Sequence, residues 1–183
     1  MKTLGILLAA GASRRFGTED KLLAPWKGQP LLLAAARALA QAGCDRLAAV
    51  VSSELVAKVL PADYLAIRIE PGQEMSVSFQ AACRLADAQG ADRMLITLGD
   101  MPAVRAETLV KLLATTGESR ACRLDHTRTP PALLLRRDWR RASTEQGDRG
   151  ARSVISEMPA SALIEISRNE ARDIDTKHDL ESD

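Results

Sequence analysis

The feature that most constrains this chain is an unbroken apolar run near its start, Leu4-Gly5-Ile6-Leu7-Leu8-Ala9-Ala10, which stops at Gly11. The run lacks the polar alternation of a half-solvated strand. It therefore predicts a strand covered on both faces, as in a parallel sheet sandwiched by helices. Leu47 to Val51 and Met94 to Leu98 repeat the pattern. Between and after them lie stretches with helical spacing. Pro30 to Ala42 is closed by Gly43, and Ser76 to Gln89 has Val77, Ala81, Leu85 and Ala88 on one side. Ala106 to Ala114 and Ala151 to Met158 are also expected to be helical. Leu65 to Ile69, Ala132 to Leu135 and Ala162 to Ile166 are further strand candidates, and Arg136 to Arg141 is expected to be a solvated helix face. Strands alternating with helices predict an α/β fold: a doubly wound, Rossmann-like, mostly parallel sheet with helices on both faces.

With 183 residues the chain is long enough for one such domain with a real core and short for two, so residues 1–183 are taken as a single unit. A net charge of +1 gives no global field for DNA or an anionic membrane, and 3% aromatics leave few stacking platforms for single strands. No nucleic-acid or membrane partner is expected. No stretch approaches the ~20 apolar residues that span a bilayer. The first apolar run is short for a signal peptide and is followed at once by Arg14-Arg15, so a cytoplasmic chain is expected. Cys44, Cys83 and Cys122 are scattered, without a C-x-x-C pair. They suggest neither a disulfide framework nor a zinc site.

In a doubly wound sheet, ligands gather where the chain leaves the carboxyl ends of the strands. The exit of the first strand reads Gly11-Ala12-Ser13-Arg14-Arg15-Phe16-Gly17, with Lys21 shortly after. Glycines let the backbone approach a ligand closely, successive N–H groups form an anion-binding concavity, and Arg and Lys neutralise phosphate charge. An ordinary turn with solvated cations is the plain alternative. Three related motifs are excluded. The dinucleotide fingerprint fails because Ser13 replaces its second Gly, Walker A lacks Gly-Lys-Ser/Thr, and a nucleophile elbow would need Gly at Arg15.

Asp100 follows the Met94 to Leu98 strand directly, at the same end of the sheet. A carboxylate there suits Mg²⁺ carried by phosphates, or simply caps the turn before Pro102. Asp173 and Asp175, two apart in an extended segment, point the same way. They would either cap the final helix or complete a metal site with Asp100.

Together these residues resemble the MobA-like nucleotidyltransferase superfamily, and within it the molybdenum cofactor cytidylyltransferase (MocA-like) branch. The resemblance covers nearly the whole chain. It runs through Leu7 to Gly17 with Lys21-Leu22-Leu23, Gly72 to Ser78, Leu98-Gly99-Asp100-Met101-Pro102, Gly147 to Arg152 and Asp173 to Thr176. The resemblance implies that Leu8, Ala9, Ala10, Gly11, Ser13, Gly17, Gly72 and Ser76 form the nucleotide pocket. It implies that Arg14, Arg15 and Lys21 hold the triphosphate, and that Asp100 binds Mg²⁺ (or Mn²⁺) with Asp175, favoured over Asp173, as partner. Asp148 and Arg149 would lie near the acceptor.

The guanylyl branch reads L-A-G-G at the first turn, whereas Ala10 here carries a methyl suited to a pyrimidine-sized pocket. One methyl is worth ~1–3 kcal/mol of discrimination. The expected reaction is transfer of CMP from CTP to molybdopterin-type cofactor with release of pyrophosphate. The family suggests a molybdoenzyme of xanthine dehydrogenase type as eventual client. A guanylyltransferase on the same cofactor, a cytidylyltransferase on a sugar or polyol phosphate, and a non-catalytic cofactor carrier are the alternatives. The chain departs from the family at His126 to Ala132, where a Gly-rich stretch that often helps to bind the pterin is missing.

Overall fold

The computed structural model describes residues 1–11, 15–17, 20–144 and 150–181. In chain order it has β1 (Thr3–Ala9), a short hairpin of β2 (Pro25–Trp26) and β3 (Gln29–Pro30), α1 (Leu32–Gln41), β4 (Arg46–Val51) and α2 (Glu54–Val59). Then follow β5 (Tyr64–Arg68), α3 (Met75–Ala88), β6 (Arg93–Leu98), α4 (Ala106–Leu113), β7 (Arg120–Leu124) and β8 (Thr127–Leu135). The chain closes with α5 (Arg136–Ala142), α6 (Gly150–Glu157), β9 (Leu163–Glu165) and α7 (Lys177–Glu181).

The main sheet has seven strands in the order β5-β4-β1-β6-β8-β7-β9. β1 pairs in parallel with both β4 and β6, and β4 with β5, while β8 runs antiparallel to its neighbours β6 and β7. The apolar run reads as it does because β1 is central and both of its faces are covered. Leu4 and Ile6 join one core cluster with Phe79, Ala82 and Trp139. Leu7 and Ala9 join the other with Leu32, Leu39 and Leu109. Thus α3, α5 and α6 cover one face, and α1, α2 and α4 the other. This is the doubly wound, mostly parallel sheet that the alternation of elements implied.

Several local readings need correction. On α3 Ala81 is buried as expected, together with Phe79, Ala82, Cys83 and Ala86, whereas Val77 and Leu85 are half-buried and Ala88 is exposed. The ring of Phe79, the bulkiest side chain of that helix, sets which stripe meets the sheet. Arg136 to Arg141 is helical, but Trp139 within it is fully buried. The strand expected at Ala132 extends back to Thr127 because it forms a hairpin with β7, turning at Asp125 in a left-handed conformation (φ 52°). Finally, Pro30 lies in β3 and α1 begins at Leu32.

Candidate functional site

Register brings the two strand exits together. Leu8 pairs with Leu98, and the ladder continues as Gly99 N–H donates to the Leu8 carbonyl at 2.9 Å. Ala10 and Gly11 therefore leave the sheet beside Asp100. The contact is close: a Cβ on Gly99 would lie 3.2 Å from the Ala9 Cβ and 3.3 Å from the Leu22 Cδ2.

Lys21 reaches this point from a short 3₁₀ turn, Lys21–Leu23. Asp20 caps the turn by accepting from Leu22 N–H at 3.0 Å, and Leu22 is buried in the core. Anchoring Leu22 aims Lys21 inward, where its side chain is 8% exposed. Lys21 Nζ donates to Asp100 Oδ2 at 2.7 Å and to Asp175 Oδ1 at 2.9 Å. Arg15, largely exposed, reaches the other Asp175 oxygen at 3.3 Å. Burial pushes the Lys21 pKa down, but the two carboxylates outweigh it and the net shift is upward. Asp100 is shifted upward by burial and by the charge of Asp173, against the pull of Lys21.

The acidic arm owes its geometry to Ile174. Its side chain is fully buried beside Phe16, Trp26 and Leu31, and its N–H donates to the Asp100 carbonyl at 2.9 Å. Alternation in an extended segment then turns Asp173 and Asp175 outward together, into the cavity. They do not cap α7. Thr176 and Asp179 do so reciprocally, with Asp179 Oδ2 accepting from Thr176 N–H at 2.7 Å and Asp179 N–H meeting Thr176 Oγ1 at 3.4 Å.

These groups line a cavity of about 600 Å³ with Leu8, Ala10, Gly11 and Leu98 from the sheet, and with Gly72 to Met75 and Ser78 across from them. Gly72 adopts φ +77°, a conformation glycine takes without strain. Of the residues expected here, Leu8, Ala10, Gly11, Arg15, Lys21, Gly72, Asp100 and Asp175 line the cavity, and Asp173 joins them. Ala9 is buried within β1, Gly17 is exposed at φ +102°, and Ser76 is buried beneath the start of α3. Ser13, Arg14, Asp148 and Arg149 lie outside the described residues.

Gln73, Glu74, Met75, Ser78 and Arg152 also line the cavity; they lie in segments that carry the resemblance, but sequence reasoning gave them no role in the site. The helical period offered a signal for part of this set. Met75 and Ser78, three apart, share a face that Ser76 does not. Arg152 lies in α6 and borders both this cavity and a smaller apolar one lined by Phe79, Ile96, Pro130 and Ile155.

Asp100 and Asp175 each place an oxygen within 3 Å of one point, occupied by Lys21 Nζ. The two carboxylates also border the cavity and are hard oxygen donors of the kind that Mg²⁺ or Mn²⁺ takes, so their chemistry fits such an ion beside the ammonium and not at its position. Among the described residues no three His, Cys, Asp or Glu side chains form a closed metal cluster. The remaining ligands would have to come from substrate and water. No helix among the described residues is long and apolar enough to cross a membrane.

Comparison with known proteins bears on the family and the fold. Nicotine blue oxidoreductase of Paenarthrobacter nicotinovorans is 28% identical, over 94% of this chain and 91% of its own. The molybdenum cofactor guanylyltransferase of Xanthomonas euvesicatoria is 33% identical, over 76% and 68%. The crystal structure of Rv0371c from Mycobacterium tuberculosis superposes with a TM-score of 0.82 at 26% identity, covering all of both chains. A manganese complex of Rv0371c matches with a TM-score of 0.79 at 24% identity over the same extent, which speaks to the fold alone. Residues 5–162 match the MobA-like NTP transferase domain, and the chain belongs to that family.

Proposed function

We propose that this nucleotidyltransferase moves CMP from CTP to the terminal phosphate of a molybdopterin-type cofactor. The observation that carries the reading is the ion-pair cluster of Lys21, Asp100 and Asp175 at the adjoining exits of β1 and β6. It sets a cation and two metal-type carboxylates against a cavity floored by Ala10 and Gly11. The acceptor phosphate oxygen attacks the α-phosphorus in line, a new P–O bond forms, and the bond to the β-phosphate breaks with pyrophosphate leaving. The protein contributes position and charge rather than covalent chemistry. Lys21 and Arg15 offset charge on the departing pyrophosphate. Asp100 and Asp175 would hold Mg²⁺ or Mn²⁺, which would supply charge neutralisation to the phosphates.

Ala10 supports the choice of cytosine, since its methyl is buried at the cavity wall where it narrows the space for a base. The 33% identity to a guanylyltransferase favours a second reading, GMP transfer from GTP to the same cofactor. The name of the Paenarthrobacter relative points to redox chemistry. Ser13 stands where a dinucleotide fingerprint needs Gly, and the transferase reading is retained. Transfer to a client of xanthine dehydrogenase type would follow the reaction.

Pyrophosphate release measured with each of the four nucleotides, with and without molybdopterin, tests the proposal. Release with CTP that depends on molybdopterin supports it. Release with GTP alone would establish the second reading, and none with any nucleotide would leave a cofactor carrier.

A further inference from the structure

Glu170 lies 5 residues before Asp175 and is 3% exposed, the most buried carboxylate among the described residues. Its Oε1 accepts from Thr108 Oγ1 at 2.6 Å, and its Oε2 from Arg105 at 3.0 Å. Its own N–H donates to Ser167 Oγ at 3.2 Å. Thr108 is itself buried and sits in the first turn of α4, and Arg105 occupies the position just before that helix. Burial would raise the Glu170 pKa, yet the bonds from Thr108 and Arg105 outweigh it and hold the carboxyl below its ordinary range.

Two chain segments run alongside one another here. One goes from Asp100 to Arg105, the other from Glu170 to Asp175. At one end they are joined by Ile174 N–H on the Asp100 carbonyl. At the other they are joined by the carboxylate of Glu170 on Arg105 and Thr108. The first segment carries Asp100, the second carries Asp173 and Asp175, and nothing in the main sheet's ladder fixes the second against the first.

We infer that Glu170 is a positioning residue of the metal site: its buried carboxylate clamps the acidic arm to α4 and so sets Asp173 and Asp175 opposite Asp100. Glu170 does not line the cavity and touches no ligand. It acts through the arm, as buried partners behind metal ligands commonly do, and losing such a partner typically weakens metal binding 10–100-fold. The inference rests on the reading of Asp100 and Asp175 as metal ligands.

The test is titration of the intact protein with Mn²⁺ alone, read by electron paramagnetic resonance of the free ion. Glu170→Ala is expected to raise the Mn²⁺ Kd about 10-fold, and Thr108→Val, which removes the shorter bond, to raise it less. Glu170→Gln, isosteric but uncharged, serves if Glu170→Ala does not fold. Val56→Ala is the control for general destabilisation, because Val56 is buried in α2, on the β4–β5 side of the sheet. It should lower Tm and leave the Mn²⁺ Kd unchanged. A Kd within twofold of wild type in Glu170→Ala or its Gln substitute overturns the inference, as does an equal loss in Val56→Ala. Asp175→Ala separates the two levels. If it weakens Mn²⁺ binding and Glu170→Ala does not, the clamp alone is wrong; if it too has no effect, the metal-site reading itself is wrong.

Discussion

Lys21 Nζ stands 2.7 Å from Asp100 and 2.9 Å from Asp175, so one ammonium joins two carboxylates that are 75 residues apart in the chain. The joint ties the first loop, the exit of β6 and the acidic arm into one electrostatic unit. Within it the Lys21 side chain is 8% exposed and that of Asp100 21%, so this pair is largely shielded from solvent, where charges act more strongly than in water.

Replacing Lys21 by Met keeps the stem and removes the charge. Pyrophosphate release should fall by ~10²–10³, the loss typical of one preorganised charge-stabilising donor. A steady-state assay at saturating nucleotide would check it, and turnover near wild type would remove Lys21 from the mechanism.

Ala10→Gly opens the part of the cavity wall that the proposed function assigns to the base. Under that proposal the preference for CTP over GTP should shrink by about 10-fold, within the ~1–3 kcal/mol that one methyl controls. Thermal shifts with each nucleotide and Mg²⁺ would show this as a rise in the GTP response relative to that of CTP.

Glu170 predicts a pH signature in stability. Its carboxyl is held below the ordinary glutamate value of 4.5 in the folded protein. The stabilisation is thus complete above that value and is lost as pH falls through the lower folded pKa. Urea unfolding of Glu170→Gln should show a deficit of about 1–3 kcal/mol at pH 7, which narrows on acidification below pH 4.5. A deficit that stays constant with pH would mean that the charge is irrelevant.

Gly99→Ala forces a Cβ to within 3.2 Å of the Ala9 Cβ. Ala9 is fixed by pairing with Val51, so the strain falls on the exit of β6. Overpacking of this kind costs ~1–3 kcal/mol. Tm should drop, and Asp100 should be displaced enough to weaken Mn²⁺ binding. An unchanged Tm would show that the exit has room.

What was legible in the sequence follows from which residues signal their surroundings. β1, β4 and β6 announce themselves because strands covered on both faces have no polar positions. Asp100 stood out as a charge placed directly after such a run, and Lys21 as a cation just beyond the glycine-bearing loop that leaves the first one. β7 was missed because Arg120 and Arg123 interrupt it at the margin of the sheet, where β9 covers only a short stretch. α2 was missed because it is six residues long, although Ser53, whose Oγ accepts from Val56 N–H at 3.4 Å, is an ordinary helix-starting cap. Glu170 gave no sign at all. A glutamate between Asn169 and Ala171 looks solvated, and only the tertiary approach of Thr108 makes it buried.

The arm bearing Asp173 and Asp175 follows every strand of the large sheet in chain order. The sheet is therefore synthesised before the second of the two carboxylates that the proposal gives to a divalent ion. The nascent domain can bury its hydrophobic layers before that arm arrives, so folding of the sheet has no need to wait for the pocket to be completed.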